Sequence, residues 1–133
     1  MSLERELPDA ECTGEIIAAA YAVHGKLGGG FLEKVYENAL AIELRKRGFA
    51  VAQQVPVPVI YDGHTVGEYY ADLVVNERVI CELKAIEPMG RRHEAQLVNY
   101  LVATGFDTGL LLNFNDRVSV KRKFRNYRPS CKS

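Results

Sequence analysis

Apolar positions along this chain recur first with the period of a helix and then with the period of a strand. Between about residues 10 and 27, Ile16, Ile17, Ala20, Tyr21, Val23 and Leu27 fall at helical spacing, and Gly28-Gly29-Gly30 stops the run. A second helical stretch begins near Phe31 and reaches Arg47, where Gly48 closes it. Strand-like segments follow at Ala50 to Ile60, Thr65 to Val75 and Val79 to Ile86, with Asp62-Gly63 marking the first turn. Pro88 and Gly90 break the pattern before Arg91 to Thr104 resumes a helical period. Thr108 to Phe114 reads as a short buried strand and Val118 to Tyr127 as a last one. No internal repeat or low-complexity linker divides the 133 residues, so a single domain over 1–133 is expected.

Two of these strands carry charges that an ordinary buried strand lacks. Val79 to Ile86 reads VICELKAI, in which alternation puts Glu82 and Lys84 on one face and Cys81, Leu83 and Ala85 on the other. Burying such a pair costs several kcal/mol per ion unless it is well partnered, by roughly the usual estimates for buried salt bridges. Asp72 interrupts the preceding strand in the same way, within Tyr70-Ala71-Asp72-Leu73-Val74-Val75. Whether the two acids meet depends on the connecting loop. A two-residue loop, Asn76-Glu77, pairs Asp72 with Cys81 and sets it opposite in face to Glu82. A three-residue loop, Asn76-Glu77-Arg78, sets Asp72 across from Glu82 with β-carbons roughly 5 Å apart. Carboxylates that close repel unless a cation lies between them; Lys84 supplies part of that charge, and a divalent metal with oxygen ligands is the more economical partner.

Composition narrows the functional classes. With 47% hydrophobic and 26% charged residues the chain is of globular type. No apolar run approaches the roughly 20 residues of a membrane helix, and the N-terminus has no basic-then-apolar signal, so a cytoplasmic protein without a membrane partner is expected. Cys12, Cys81 and Cys131 share no CxxC spacing, which favours free thiols over a disulfide framework or a zinc site. Net charge is zero, yet from Arg117 onward there are seven basic residues and no acidic one. That segment either meets phosphates or forms a solvated edge with gatekeeping lysines.

The triple glycine lacks the preceding strand and the Gly-Lys-Ser/Thr of a phosphate loop, and serves better as a joint between helices. Glu33 falls between Leu40 and Leu44 on the helical wheel, at the edge of an apolar arc, and so faces the sheet, either as an active-site carboxylate or as a core-edge residue paired with a neighbouring donor; Glu43 projects into the same arc. Gln96 and Tyr100 share a face with His93, away from Leu97, Val98 and Leu101. That face either serves a site or is a polar surface against solvent. His24, His64 and His93 show no metal spacing.

Taken together, Ala71-Asp72 on one strand and Glu82-Leu83-Lys84 on the next resemble the PD-(D/E)XK nuclease superfamily. Gly30-Phe31-Leu32-Glu33-Lys34-Val35-Tyr36 is similar to the signature of the GxxExxY protein family, a branch of that superfamily, and Gln96 to Tyr100 resembles the Gln-x-x-x-Tyr helix motif of RecB-like nucleases. The motifs span roughly residues 14 to 116 in the expected order. The resemblance implies an α/β restriction-endonuclease-like core, a central mixed sheet flanked by helices. It further implies a metal-dependent nuclease in which Asp72, Glu82, the backbone carbonyl of Leu83 and Glu33 hold Mg2+ or Mn2+. Lys84 would orient the attacking water and stabilise charge on phosphorus, and Gln96 would bond that water or the substrate phosphate. The partner implied is nucleic acid, DNA in preference to RNA, with a homodimer or a protein partner to complete specificity. The rival is a noncatalytic nucleic-acid-binding or protein-interaction module on the same fold, which has no need of an acidic pair facing a phosphate backbone. Ala71 stands where the first motif has proline, a residue that shapes backbone and ligates nothing.

Overall fold

The two helical periods become α1 (Ala10–Leu27) and α2 (Glu33–Lys46), and the alternating segments become β1 (Val51–Tyr61), β2 (His64–Val75) and β3 (Val79–Lys84); α3 (Arg91–Thr104), β4 (Thr108–Phe114) and β5 (Val118–Phe124) complete the fold. The computed structural model describes residues 9–86 and 90–125, so the expected continuation of the last strand to Tyr127 and the thiol of Cys131 lie outside the described residues. One five-stranded sheet runs in the order β1-β2-β3-β4-β5. Asp62 and Gly63, with φ of 51° and 79°, make the two-residue turn between β1 and β2, a conformation that glycine takes without strain and aspartate tolerates. Among the described strand pairs only β3 and β4 are parallel, and α3 is the crossover that a parallel pair requires.

Alternation along the central strands feeds two apolar layers. Cys81, Leu83, Leu110, Leu112 and Phe114 meet Ile16, Ala20, Tyr36, Leu40 and Leu44 of α1 and α2 on one face. Ile80 and Leu111 meet Leu97, Tyr100 and Leu101 of α3 on the other. The central strands β3 and β4 are thus covered on both faces, which is why they read as nearly continuous apolar runs. Gly109 sets how close α3 comes: a β-carbon there would lie 2.8 Å from Leu97 Cδ1, inside the packed layer. Gly109→Ala should therefore force Leu97 out of place and lower stability by about 1–3 kcal/mol, the usual cost of overpacking, read as a fall in denaturation midpoint. An unchanged midpoint would mean that α3 has room to recede.

The β1–β2 hairpin behaves differently at its two ends. Near the sheet, Val51 and Leu73 belong to the α1–α2 side, whereas Val55, Val57 and Ala71 belong to the α3 side. Strict period-two alternation cannot do this, since positions 51, 55 and 57 share parity. The change occurs between the pairs Gln53↔Leu73 and Val55↔Ala71, where Gln54 and Asp72 drop out of the ladder and Gln54 adopts φ of 54°. Pairing of β2 with β3 covers only Leu73 to Val75, so residues 55–71 continue past it as a two-stranded arm on the α3 side.

Candidate active site

Three residues, Asn76, Glu77 and Arg78, join β2 to β3, and the pairs Val75↔Val79, Val74↔Ile80 and Leu73↔Cys81 run up to the point where Asp72 and Glu82 come next. Here side chains replace the ladder. The Asp72 amide donates to Glu82 Oε2 at 3.0 Å, and the Leu83 amide donates to Asp72 Oδ2 at 2.8 Å. The two carboxyl groups are held at the place where β2 parts from β3, each by the other strand's backbone. Glu82 is only 6% exposed, and its carboxyl is pushed up to about 8 by burial and then by the charge of Asp72. Asp72 is also raised, by burial first, while its hydrogen bonds to Leu83 and Gln54 oppose the rise.

Lys84 lies two residues on from Glu82, partly exposed, and lowers the pKa of both acids through its charge. Its ammonium makes no hydrogen bond or ion pair among the described residues. Of the α2 acids, Glu33 is the first residue of the helix, and its Oε2 accepts the Ala85 amide at 3.2 Å, which brings it to the end of β3. Glu43 instead pairs with Arg47 at 2.9 Å and Lys46 at 3.9 Å, away from the acids on the sheet. The wheel alone left these two level.

Nothing in the sequence pattern singles out Glu37. It is 3% exposed, its charge raises the pKa of both Asp72 and Glu82, and it gathers Lys34 Nζ (3.3 Å), Gln53 Nε2 (2.8 Å) and Gln54 Nε2 (3.0 Å). The Gln54 amide also reaches Asp72 Oδ1 at 3.2 Å, so one residue bridges a helix acid to a strand acid. Both glutamines point toward α2 because the left-handed turn at Gln54 suspends alternation. The available signal was slight: a Gln-Gln pair opposite Asp72 in a strand otherwise apolar at alternate positions, and a glutamate one turn beyond Glu33.

Gln96 and Tyr100 lie on α3 over the other face. The expected separation of their face from Leu97 and Leu101 does not hold for Tyr100, which is 6% exposed and packs in the same layer as both. The arm supplies the covering, since Tyr69 lies against the Tyr100 ring with centroids 5.7 Å apart. Burial, followed by the charge of Glu82, pushes the Tyr100 hydroxyl up to about 12, so it stays a neutral phenol beside the acids. In the basic segment, Lys123 pairs with Glu94 at 2.6 Å and Arg125 with Asp107 at 2.6 Å, which gives those two cations partners within the fold. Arg128 and Lys132 lie outside the described residues.

The oxygens of Asp72 and Glu82, buried together with incomplete charge compensation, suit a hard divalent cation. Among the described residues no three His, Cys, Asp or Glu side chains converge as a metal cluster, so Glu33 and Glu37 do not join the pair as a ready-made cage. No described helix is long and apolar enough to cross a membrane.

A family model described as the PD-(D/E)XK nuclease superfamily matches residues 10–125. Among solved structures, the fold is similar to SSO0001, at 16% identity and a TM-score of 0.53, over 74% of this chain and 52% of that one. It is also similar to an alkaline exonuclease (LHK-Exo) from Laribacter hongkongensis, at 15% identity and a TM-score of 0.51, over 70% of this chain and 56% of that one. The chain spans little more than half the length of either. No curated protein matches it.

Proposed function

This chain belongs to the PD-(D/E)XK nuclease superfamily, and from that premise we propose that it hydrolyses nucleic-acid phosphodiester bonds with Mg2+ or Mn2+, acting on DNA in preference to RNA. The observation that carries this reading is the mutual anchoring of Asp72 and Glu82 at the parting of β2 and β3, with Lys84 unpaired beside them. Asp72, Glu82 and the Leu83 carbonyl are the residues that would hold the cation, which when bound polarises the phosphate and lowers the pKa of water.

The chain's own groups do the rest. Lys84 brings a compact ammonium on a flexible stem, suited to stabilising charge on the phosphorus and to orienting a water. Glu37, acting through Gln54, fixes the rotamer of Asp72, and Glu33 ties α2 to the end of β3 while offering an acceptor to water at the metal. Gln96 meets the phosphate or its water from α3, and Tyr100 excludes solvent from the acids.

The same reading assigns the chain to the GxxExxY branch. Its signature segment has a physical account here, for the Tyr36 hydroxyl donates to the Gly28 carbonyl at 2.7 Å and accepts from the Phe31 amide at 3.2 Å. That clasp fixes the turn from which Glu33 departs.

The deciding assay is cleavage of single-stranded, duplex and branched DNA and of RNA with Mg2+ or Mn2+, with EDTA as control. We expect cleavage that EDTA abolishes. Nucleic-acid binding without cleavage, and with no metal bound at millimolar concentration, would replace the nuclease by a noncatalytic binding module.

A further inference from the structure

Beyond the acids, the arm and α3 enclose an open groove of about 760 Å3. Its volume lies within the range of sites that take small organic ligands. Pro58 and Ile60 of the arm form one wall, Tyr69 and Tyr100 its aromatic floor, and Gln96 and Asn99 of α3 line it along with Arg92. Tyr69 is 49% exposed although its ring already touches Tyr100, so one aromatic surface remains open. Neither the Gln96 nor the Asn99 amide makes a hydrogen bond among the described residues, and Arg92 makes no ion pair there. Two uncommitted carboxamides and a guanidinium beside an open aromatic ring are more than an apolar wall requires. Carboxamides match the paired donors and acceptors of a base edge, an aromatic ring offers stacking to any base, and arginine suits a phosphate.

Tyr100 joins the groove to the neighbourhood of the acids, for it lines the groove and feels the charges of Glu82 and Asp72. We propose that this groove is a base-binding subsite for a single strand: it receives one unstacked base, stacked on Tyr69 and met at its edge by Asn99, while Arg92 holds the adjoining backbone phosphate. The inference rests on the nuclease reading for the neighbouring phosphate and adds to it a preference for single-stranded or frayed substrates. Within a duplex the base edges are already paired and the faces already stacked, so neither the Asn99 amide nor Tyr69 gains access.

The test is a fluorescence titration of a single-stranded oligonucleotide carrying one 2-aminopurine, in EDTA so that no cleavage intervenes. Wild type should quench the probe saturably, and the same probe in a duplex should bind more weakly. Tyr69→Ala should weaken single-strand binding by about tenfold or more, the scale of one lost stacking platform. Tyr69→Phe should keep it within about twofold. Tyr70, as exposed as Tyr69 but next to it on the strand and hence on the other face of the arm, provides the matched control, and Tyr70→Ala should bind as wild type. Asn99→Ala should weaken binding severalfold. Equal losses for Tyr69→Ala and Tyr70→Ala, no loss for Tyr69→Ala, or equal affinity for the duplex would each overturn the subsite. Cleavage with Mn2+, measured separately, divides the two readings: cleavage without Tyr69-dependent quenching leaves the nuclease and removes the subsite, and quenching without cleavage does the reverse.

Discussion

Lys84→Ala should lower turnover by about a hundredfold or more, the usual scale for loss of one preorganised electrostatic group, while metal affinity persists or rises. The divergence follows from what Lys84 contacts. Its ammonium makes no internal ion pair or hydrogen bond among the described residues, so removing it costs little structurally, and its charge opposes a cation held by Asp72 and Glu82. Glu82→Ala should act otherwise, losing metal binding and cleavage together because it deletes a donor from a pair on which no third carboxylate converges among the described residues. Calorimetric titration with Mn2+, run beside the cleavage assay, reads both quantities. If Lys84→Ala cleaves as well as wild type, or if Glu82→Ala keeps full metal affinity, the division of labour between these residues is wrong.

The second large effect is on stability, and its sign is unusual for a carboxylate. Burial, followed by the charge of Asp72, pushes the Glu82 carboxyl up to about 8 from an ordinary 4.5, so between those limits the native state binds more protons than the unfolded one. Stability is then greatest below about pH 4.5, as far as this group is concerned, and is lost as pH rises toward 8. At roughly 1.4 kcal/mol per pH unit the loss amounts to about 3–5 kcal/mol across the window, with Asp72 adding in the same direction. In EDTA the melting temperature should fall by about 10 °C between pH 5.5 and 8.5, by the usual conversion for a domain of this size. Glu82→Gln removes the titrating group and should flatten the profile. Mg2+ or Mn2+ at millimolar concentration should restore stability at pH 8.5 and add little at pH 5.5, where a proton on Glu82 competes with the cation. A wild-type profile in EDTA that is flat or rises with pH would contradict the burial and proximity assigned to these two acids.

Much of this was legible in the sequence because hydrophobic period is a direct record of which faces are covered. The bounds of α1, α3 and β4 follow from it almost to the residue, whereas the meeting of Asp72 with Glu82 turns on the length of one loop, which the pattern leaves at two or three residues and the structure sets at three. What stayed hidden lies where the period is suspended. Glutamine has no special liking for positive φ, so nothing in Gln53-Gln54 announced that both side chains would turn to α2, and Glu37 was invisible without them. Tyr100 was assigned to a polar face because the wheel of α3 cannot know that an arm folds over it. Similarly, the pairing of Lys123 with Glu94 and of Arg125 with Asp107 joins residues distant in sequence. Charge clustering along the chain says nothing of such partners.

The joint omission of Gln54 and Asp72 from the β1–β2 ladder has a consequence for how a small protein accommodates charge at all. A sheet is a lattice with a repeat of two, and these residues form a dislocation line across it, after which the inner and outer faces of the hairpin exchange. Side chains at a dislocation belong to neither face. Asp72 therefore takes no site from either apolar layer, and its partners Gln54 and Glu37 gather along the same seam. Repairing the defect with well-formed alternation would oblige one layer to admit a carboxylate, so here the irregularity in the lattice is what keeps both layers apolar.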